Sequence, residues 1–121
     1  MRNSFKIYSN NVLPTGFLFP SLYIDLSRNF DEINEIPYFT WWFQDCVDGQ
    51  FLLRKANLKE LTGVDNLISF ARDGDWAACF NLLDRSGDPK VYVYDLGNRN
   101  NHYEVKNFEE WLKLVISEAQ K

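Results

Sequence analysis

Asp73 and Asp75, with Asp84 and Asp88 further along the chain, are the first residues whose types suggest chemistry. Hard divalent cations take several carboxylate oxygens at once. The spacing is not that of an EF-hand loop, however, and aspartates beside glycine commonly build turns. His102 is the one histidine and follows Asn100-Asn101. A general base needs an orienting partner and a nearby nucleophile. No local pattern supplies either, so His102 reads as a surface side chain. Cys46 and Cys79 sit in apolar, strand-like runs with no Cys-x-x-Cys spacing. They read as buried free thiols in a reducing compartment. A structural zinc site needs more Cys and His ligands than the chain offers. Gly-x-Gly-x-x-Gly, phosphate-loop and Gly-x-Ser-x-Gly patterns are absent from the sequence. The reading is therefore of a protein without catalytic residues, metal or cofactor.

Trp41-Trp42 suggests recognition instead. Residues 31–48 hold Asp31, Glu32, Glu35, Asp45 and Asp48 with no Lys or Arg, so this segment carries −5 of a net −4 and leaves +1 elsewhere. The same segment holds Tyr38, Phe39, Trp41, Trp42 and Phe43. Neighbouring strand residues face opposite ways. One tryptophan then enters the core, and the other lies outside, either covered by the Pro20–Asn29 segment or free as a binding anchor. Solvated acids alone are unremarkable, but acids beside exposed aromatics suit a basic protein partner. Asp73, Asp75 and Asp84 are added to that candidate surface. The negative balance disfavours a nucleic-acid partner. Met-Arg-Asn-Ser-Phe-Lys leads into no apolar signal core, and no stretch approaches the roughly 20 apolar residues of a membrane helix. The expectation is a soluble cytoplasmic protein, away from membranes and monomeric.

The elements that must position these residues centre on Leu67–Leu96. Trp76, Ala78, Phe80 and Leu82 alternate with Ala77, Cys79, Asn81 and Leu83, and only Asn81 is polar. That pattern predicts a central strand covered on both faces. Lys90–Leu96 is its hairpin partner across the turn Asp84–Pro89, and Leu67–Phe70 pairs alongside through the tight link Asp73-Gly74-Asp75. At 121 residues, with 45% hydrophobic and 17% aromatic content, the chain is one domain, residues 1–121, with a proper core. Residues 1–18 read as an arm with little to anchor it, or with Phe5–Tyr8 as a short edge strand. Pro20–Asn29 is a short helix, with a strand over Leu22–Leu26 as its alternative. Asn29–Pro37 is a polar loop with room for one helical turn. Tyr38–Phe43 reads as a strand, Asp48-Gly49 as a hairpin turn, and Phe51–Leu53 as the returning strand. Asn57 caps a short helix that Gly63 ends. Gly97–His102 is a loop and Tyr103–Val105 a last short strand. Asn107 caps a closing helix, with Glu110 placed to reach back to it. Phe108, Trp111, Leu112, Val115, Ile116 and Ala119 form one apolar stripe on that helix. The fold class is α+β: a mixed or antiparallel sheet flanked by helices, with the last helix docked on it.

The residues assembled so far carry a pattern. Pro20-Ser-Leu-Tyr23 with Leu26 precedes Trp41-Trp42. Leu67-Ile-Ser-Phe-Ala71 then leads into Asp73-Gly-Asp75 and Ala78-Cys-Phe80. Gly87-Asp-Pro-Lys-Val-Tyr92 and Phe108-Glu-Glu-Trp-Leu112 complete it. From about Phe19 onward the chain resembles the SUKH superfamily, the Smi/Knr-type proteins related to a fungal cell-wall regulator. The resemblance is best in the last fifty residues. It departs at Asn81, where an acidic residue would be expected. The resemblance implies an α+β fold without catalysis. It further implies, for bacterial members, an immunity protein that binds and neutralises the toxin domain of a polymorphic or contact-dependent toxin, often a nuclease. A basic toxin domain is then the expected partner. The alternative is a regulatory or scaffold module that binds a host protein and neutralises nothing.

Overall fold

The computed structural model describes residues 2–121. Five antiparallel strands form a meander in sequence order: β1 (Trp42–Phe43), β2 (Leu67–Asp73), β3 (Trp76–Asn81), β4 (Val91–Asp95) and β5 (His102–Val105). The architecture is α+β, with α1 (Ser21–Arg28), α2 (Asp31–Asn34), α3 (Phe51–Thr62) and α4 (Phe108–Ala119) around the sheet. β3 is the central strand, and Ala77, Ala78, Cys79 and Phe80 are all buried. Its period-two alternation sends Ala78 and Phe80 into the main core and Ala77 and Cys79 into a smaller cluster on the opposite face. The link to β2 is a two-residue loop between paired Asp73 and Trp76, with Gly74 at φ +58°. Glycine tolerates that conformation without steric cost.

A bulge between Ser69 and Ala71 breaks the alternation in β2. Phe70 is the extra residue, so Phe70 and Ala71 both enter the main core. Phe70 stacks on Phe80 at 4.4 Å and meets Trp111 edge-on at 5.0 Å. Tyr23 and Leu26 from α1, with Phe108, Trp111, Leu112 and Val115 from α4, close over this layer. Asn107 caps α4: its Oδ1 accepts the Glu110 N–H at 2.9 Å. The Glu110 carboxylate lies 3.7 Å from the Lys113 ammonium, so the side chain does not reach back as expected. On the other face Leu58 of α3 packs with Leu67, Ala77, Cys79 and Tyr94.

Three further expectations are corrected. The strand expected over Tyr38–Phe43 is reduced to Trp42–Phe43, since Tyr38 takes φ +61° and the chain turns there. Asp48-Gly49 is no hairpin turn. Residues Asp48–Gln50 make a 3₁₀ turn that leads into α3, which begins at Phe51 rather than at Asn57. Phe51, Leu58 and Thr62 are its buried positions, at helical spacing. Gly63 ends it as expected, with φ +78° and its N–H on the Lys59 carbonyl at 2.8 Å.

The third correction concerns the 1–18 arm, whose first residue lies outside the described residues. Phe5, Tyr8, Leu13 and Phe17 are all buried in the main core. The Phe5 N–H reaches the Ser27 carbonyl, and the Cys46 N–H reaches the Lys6 carbonyl, each at 2.9 Å. The segment thus runs beside the chain that leaves β1, tied by backbone bonds but not forming a regular strand. Aromatic burial anchors it.

Candidate functional site

Phe39, Trp41 and Trp42 lead into or begin β1, while Ile33 and Ile36 sit on and just after α2. Together with Phe30 these side chains line an open groove of about 550 Å³. Its polar lining is Arg2 and Asn34. The groove exists because α2 is only four residues long and the turn at Tyr38 brings the chain back to the sheet edge. Asp31, Glu32 and Glu35 stand exposed on α2 and at its end.

The tryptophans divide the work. Trp41 is half-buried and packs edge-on against Trp111, with ring centroids 5.3 Å apart. Trp42 is 59% exposed. The Arg2 guanidinium carbon lies 4.2 Å from the Trp42 ring centroid and within 5.7 Å of Phe5 and Phe30, a cation–π arrangement. The Arg2 guanidinium nitrogens are covered and find no hydrogen-bond partner among the described residues, the nearest anion being Asp45 Oδ1 at 3.8 Å.

A second cleft, about 260 Å³, opens on the other side of Trp41. Tyr38, Thr40, Asp73, Glu118 and Lys121 contribute to it. The Thr40 hydroxyl donates to Asp73 Oδ2 at 2.8 Å. Tyr38 is 87% exposed.

The expected site residues fall into three groups. Trp41, Trp42 and Asp73 line the two clefts, while Asp31, Glu32 and Glu35 stand exposed on and just after α2 without lining either. Asp45 and Asp48 lie nearby but hold the N-terminal segment: Asp45 Oδ1 accepts the Lys6 N–H at 2.8 Å, and Asp48 accepts the Ser9 N–H and hydroxyl at 2.9 and 2.5 Å. The Ser9 bonds keep the Asp48 carboxyl below its ordinary range. Asp75 and Asp84 do not join them. The Asp75 carboxylate lies with that of Asp95 around Gly97. Asp84 sits past the far end of β3, where Ser86 bonds to its carboxylate and lowers its pKa. A six-residue strand separates Asp75 from that end, roughly 20 Å at 3.3 Å per residue. Asn81, at the position where the family pattern leads one to expect an acid, uses Oδ1 to accept the Leu83 N–H at 2.9 Å.

Little at this surface suits covalent chemistry. Among the described residues no three His, Cys, Asp or Glu side chains gather where they could hold a metal ion. Burial pushes the Cys46 thiol up to about 11 and the Cys79 thiol to about 12, far from the thiolate a nucleophile needs. His102 stacks face to face on Tyr94 at 4.9 Å, on the strand side of the molecule.

Sequence reasoning missed Arg2, Ile33, Ile36 and the exposed turn at Tyr38. Ile33 and Ile36 are three apart, the spacing of one helical face, a signal the sequence did contain. Arg2 reaches the site only through the long-range docking of the N-terminal segment, which no local pattern announces. No helix among the described residues is long and apolar enough to cross a membrane. Comparison with known protein families, curated proteins and solved structures finds no match to this chain.

Proposed function

We propose that this chain is a non-catalytic, monomeric, cytoplasmic protein-binding domain. In the sharper form of the proposal it is an immunity protein of the SUKH type that neutralises a toxin domain by covering it. The observation that carries the reading is the apolar groove between α2 and β1, with the exposed acids Asp31, Glu32 and Glu35 on and just after the helix that forms one of its walls. Exposed aromatics supply most of the affinity at protein interfaces, and surrounding charge supplies steering and register. A nuclease toxin keeps a basic cleft for its nucleic acid, and a negative surface complements it. The resemblance to SUKH proteins from about Phe19 onward supports the same reading.

The test identifies the reading frame adjacent to the gene of this chain in its native host and co-expresses the product with the chain, the expectation being a toxin domain. The chain should restore growth and form a stable complex whose affinity falls as salt rises. Trp42→Ala combined with Glu32→Lys and Glu35→Lys should weaken the complex by roughly thirtyfold or more, the effect of a hot spot of about 2 kcal/mol. Asp45 is a poor choice for this purpose because its substitution would also release Lys6. Unchanged affinity in the triple variant would remove the surface from consideration. Binding of a host protein without rescue would point to a regulatory module.

A further inference from the structure

On the face of the sheet that α3 covers, two arginines share one cleft without an anion. Arg54 of α3 and Arg72 of β2 line an opening of about 270 Å³, and no acid is among its lining residues. Both side chains are half-buried, and neither forms an ion pair among the described residues. Two positive charges in one partly desolvated cleft disfavour each other, and burial adds to the cost of each. Arg72 Nη2 donates to the Gly74 carbonyl at 2.9 Å, while its Nε is covered and has no partner. Arg54 Nη2 reaches only Gln50 Oε1, at 3.3 Å.

Two local devices bring these residues together. On α3, Arg54, Asn57, Leu58 and Leu61 stand at i, i+3, i+4 and i+7, a single stripe along the cleft. On β2, strict alternation would send Arg72 to the face opposite Ser69. The bulge at Phe70 removes one step of that alternation, so Ser69 and Arg72 both face α3, across from Cys79 and Ala77 of the smaller cluster. Bulges re-aim side chains in this way beside functional sites. Ser69, only 7% exposed, adds a hydroxyl to the cleft. Asn57 and Gln44 add carboxamides, and the Gln44 Oε1 is covered without a partner. A carboxamide can turn to offer its N–H instead. Leu58, Leu61 and Leu96 make the remaining wall apolar.

We infer that this cleft binds a phosphate monoester with a small apolar body. The charge balance selects phosphate over carboxylate: a monoester carries about −1.5 to −2 at neutral pH, which matches two guanidinium groups, whereas a carboxylate leaves one uncompensated. Guanidinium forks suit phosphate oxygens, and each such bond is charge-assisted. Ser69 and the carboxamides supply further donors for the three terminal oxygens, and the leucines receive the body of the ester. The cleft lies on the α3 side of the sheet, apart from the groove beside Trp41, so the inference stands without the protein-binding reading.

The experiment titrates phenyl phosphate, inorganic phosphate and benzoate into the full chain by calorimetry at low salt, with the Nε–H signals of Arg54 and Arg72 followed by NMR. Phenyl phosphate should bind and shift both signals, and benzoate should bind at least roughly tenfold more weakly. Equal binding of benzoate would overturn the assignment to phosphate, and equal binding of inorganic phosphate the apolar half of the site. Arg54→Gln and Asn57→Asp should each lose roughly tenfold or more in affinity for phenyl phosphate. Arg54→Gln should melt at the same or a higher temperature than the parent, because a like charge has left the cleft. Asn57→Asp keeps both arginines and places an acid at an exposed position, so its loss of binding reports on the site and not on folding. Unchanged affinity in either variant would overturn the inference. So would an equal loss in Lys113→Gln, an exposed position on α4, since binding would then follow general surface charge. A capped phosphotyrosine peptide distinguishes the source of the ester. Tighter binding than phenyl phosphate would place it on a modified protein, and weaker binding on a free small molecule, and either result supports the site.

Discussion

Two thiols and two phenols sit where water does not reach. Burial raises the Tyr8 hydroxyl to about 12 and lifts Tyr23 well above its ordinary value, with the Cys46 thiol adding to both. Neither hydroxyl has a hydrogen bond of ordinary geometry, so each is stable only while neutral. All four acids have folded pKa values above their unfolded ones, and the native state holds their protons longer. Their contribution to stability is complete below pH 9.0, the ordinary value of the Cys46 thiol, and is lost as pH rises toward about 11 to 12. Denaturant titrations should show a falling midpoint across that window and a flat one between neutrality and its lower edge. Native protein should also leave a thiol-specific reagent unconsumed at neutral pH, with both cysteines reacting after unfolding. Fast reaction of either thiol in the native state would contradict the burial argument. That the cysteines are buried was legible from their apolar neighbours. That Cys46 lies against two tyrosines was not, since Tyr8, Tyr23 and Cys46 are far apart in sequence.

Among the elements, α4 ties the most together. Trp111 is fully buried and touches Trp41, Phe43, Phe70 and Phe108 by ring contacts within 5.9 Å. Trp111→Ala should cost about 3–5 kcal/mol by leaving a cavity at that junction. Asn107→Ala should cost about 1 kcal/mol as a lost helix cap, and it would also free Asp88 of the β3–β4 loop from the Asn107 amide. Urea melts of the two variants check both values. These features could be read from the chain because α4 and the β3–β4 hairpin have strong periods over many residues. The start of α3 could not. Phe51-Leu-Leu53 is a short apolar run, and such a run has no period to separate helix from strand. Asp48-Gly49 looked like hairpin chemistry, but residues good at forming helix followed it, and the chain coiled instead of returning.

At the scale of the whole molecule, the acid-aromatic segment was visible in the sequence as a concentration of types, while the groove it forms was not. A groove needs two walls, and here they come from α2 and the approach to β1, with Arg2 added from a segment that appeared dispensable. That segment is part of the core. Removing residues 2–8 would strip Phe5 and Tyr8 from buried positions and delete the carbonyl that receives the Cys46 N–H. Large-to-small losses of this kind run to about 3–5 kcal/mol for each ring, against a total stability of about 5–15 kcal/mol for a typical domain. The truncated chain should therefore show a non-cooperative melt and bind a hydrophobic dye. A sharp transition near that of the full chain would show that the rings contribute little.

The order of strands in the sheet is the order of strands in the chain, and this has a kinetic consequence. Each hairpin from β2 to β5 can close on its predecessor through a short loop, so that part of the molecule has low contact order and should form early. The first thirty residues have no such neighbouring strand: Phe5, Phe19 and Tyr23 touch one another, but they reach the sheet and the last helix only through the later Phe43, Phe70, Phe80 and Phe108. They are synthesised before those partners and must wait for them, carrying bare rings through the interval in which nascent chains aggregate. Pulsed hydrogen exchange during refolding should find the β2–β4 amides protected while those of α1 still exchange, and simultaneous protection would mean that the arm helps to nucleate the fold instead.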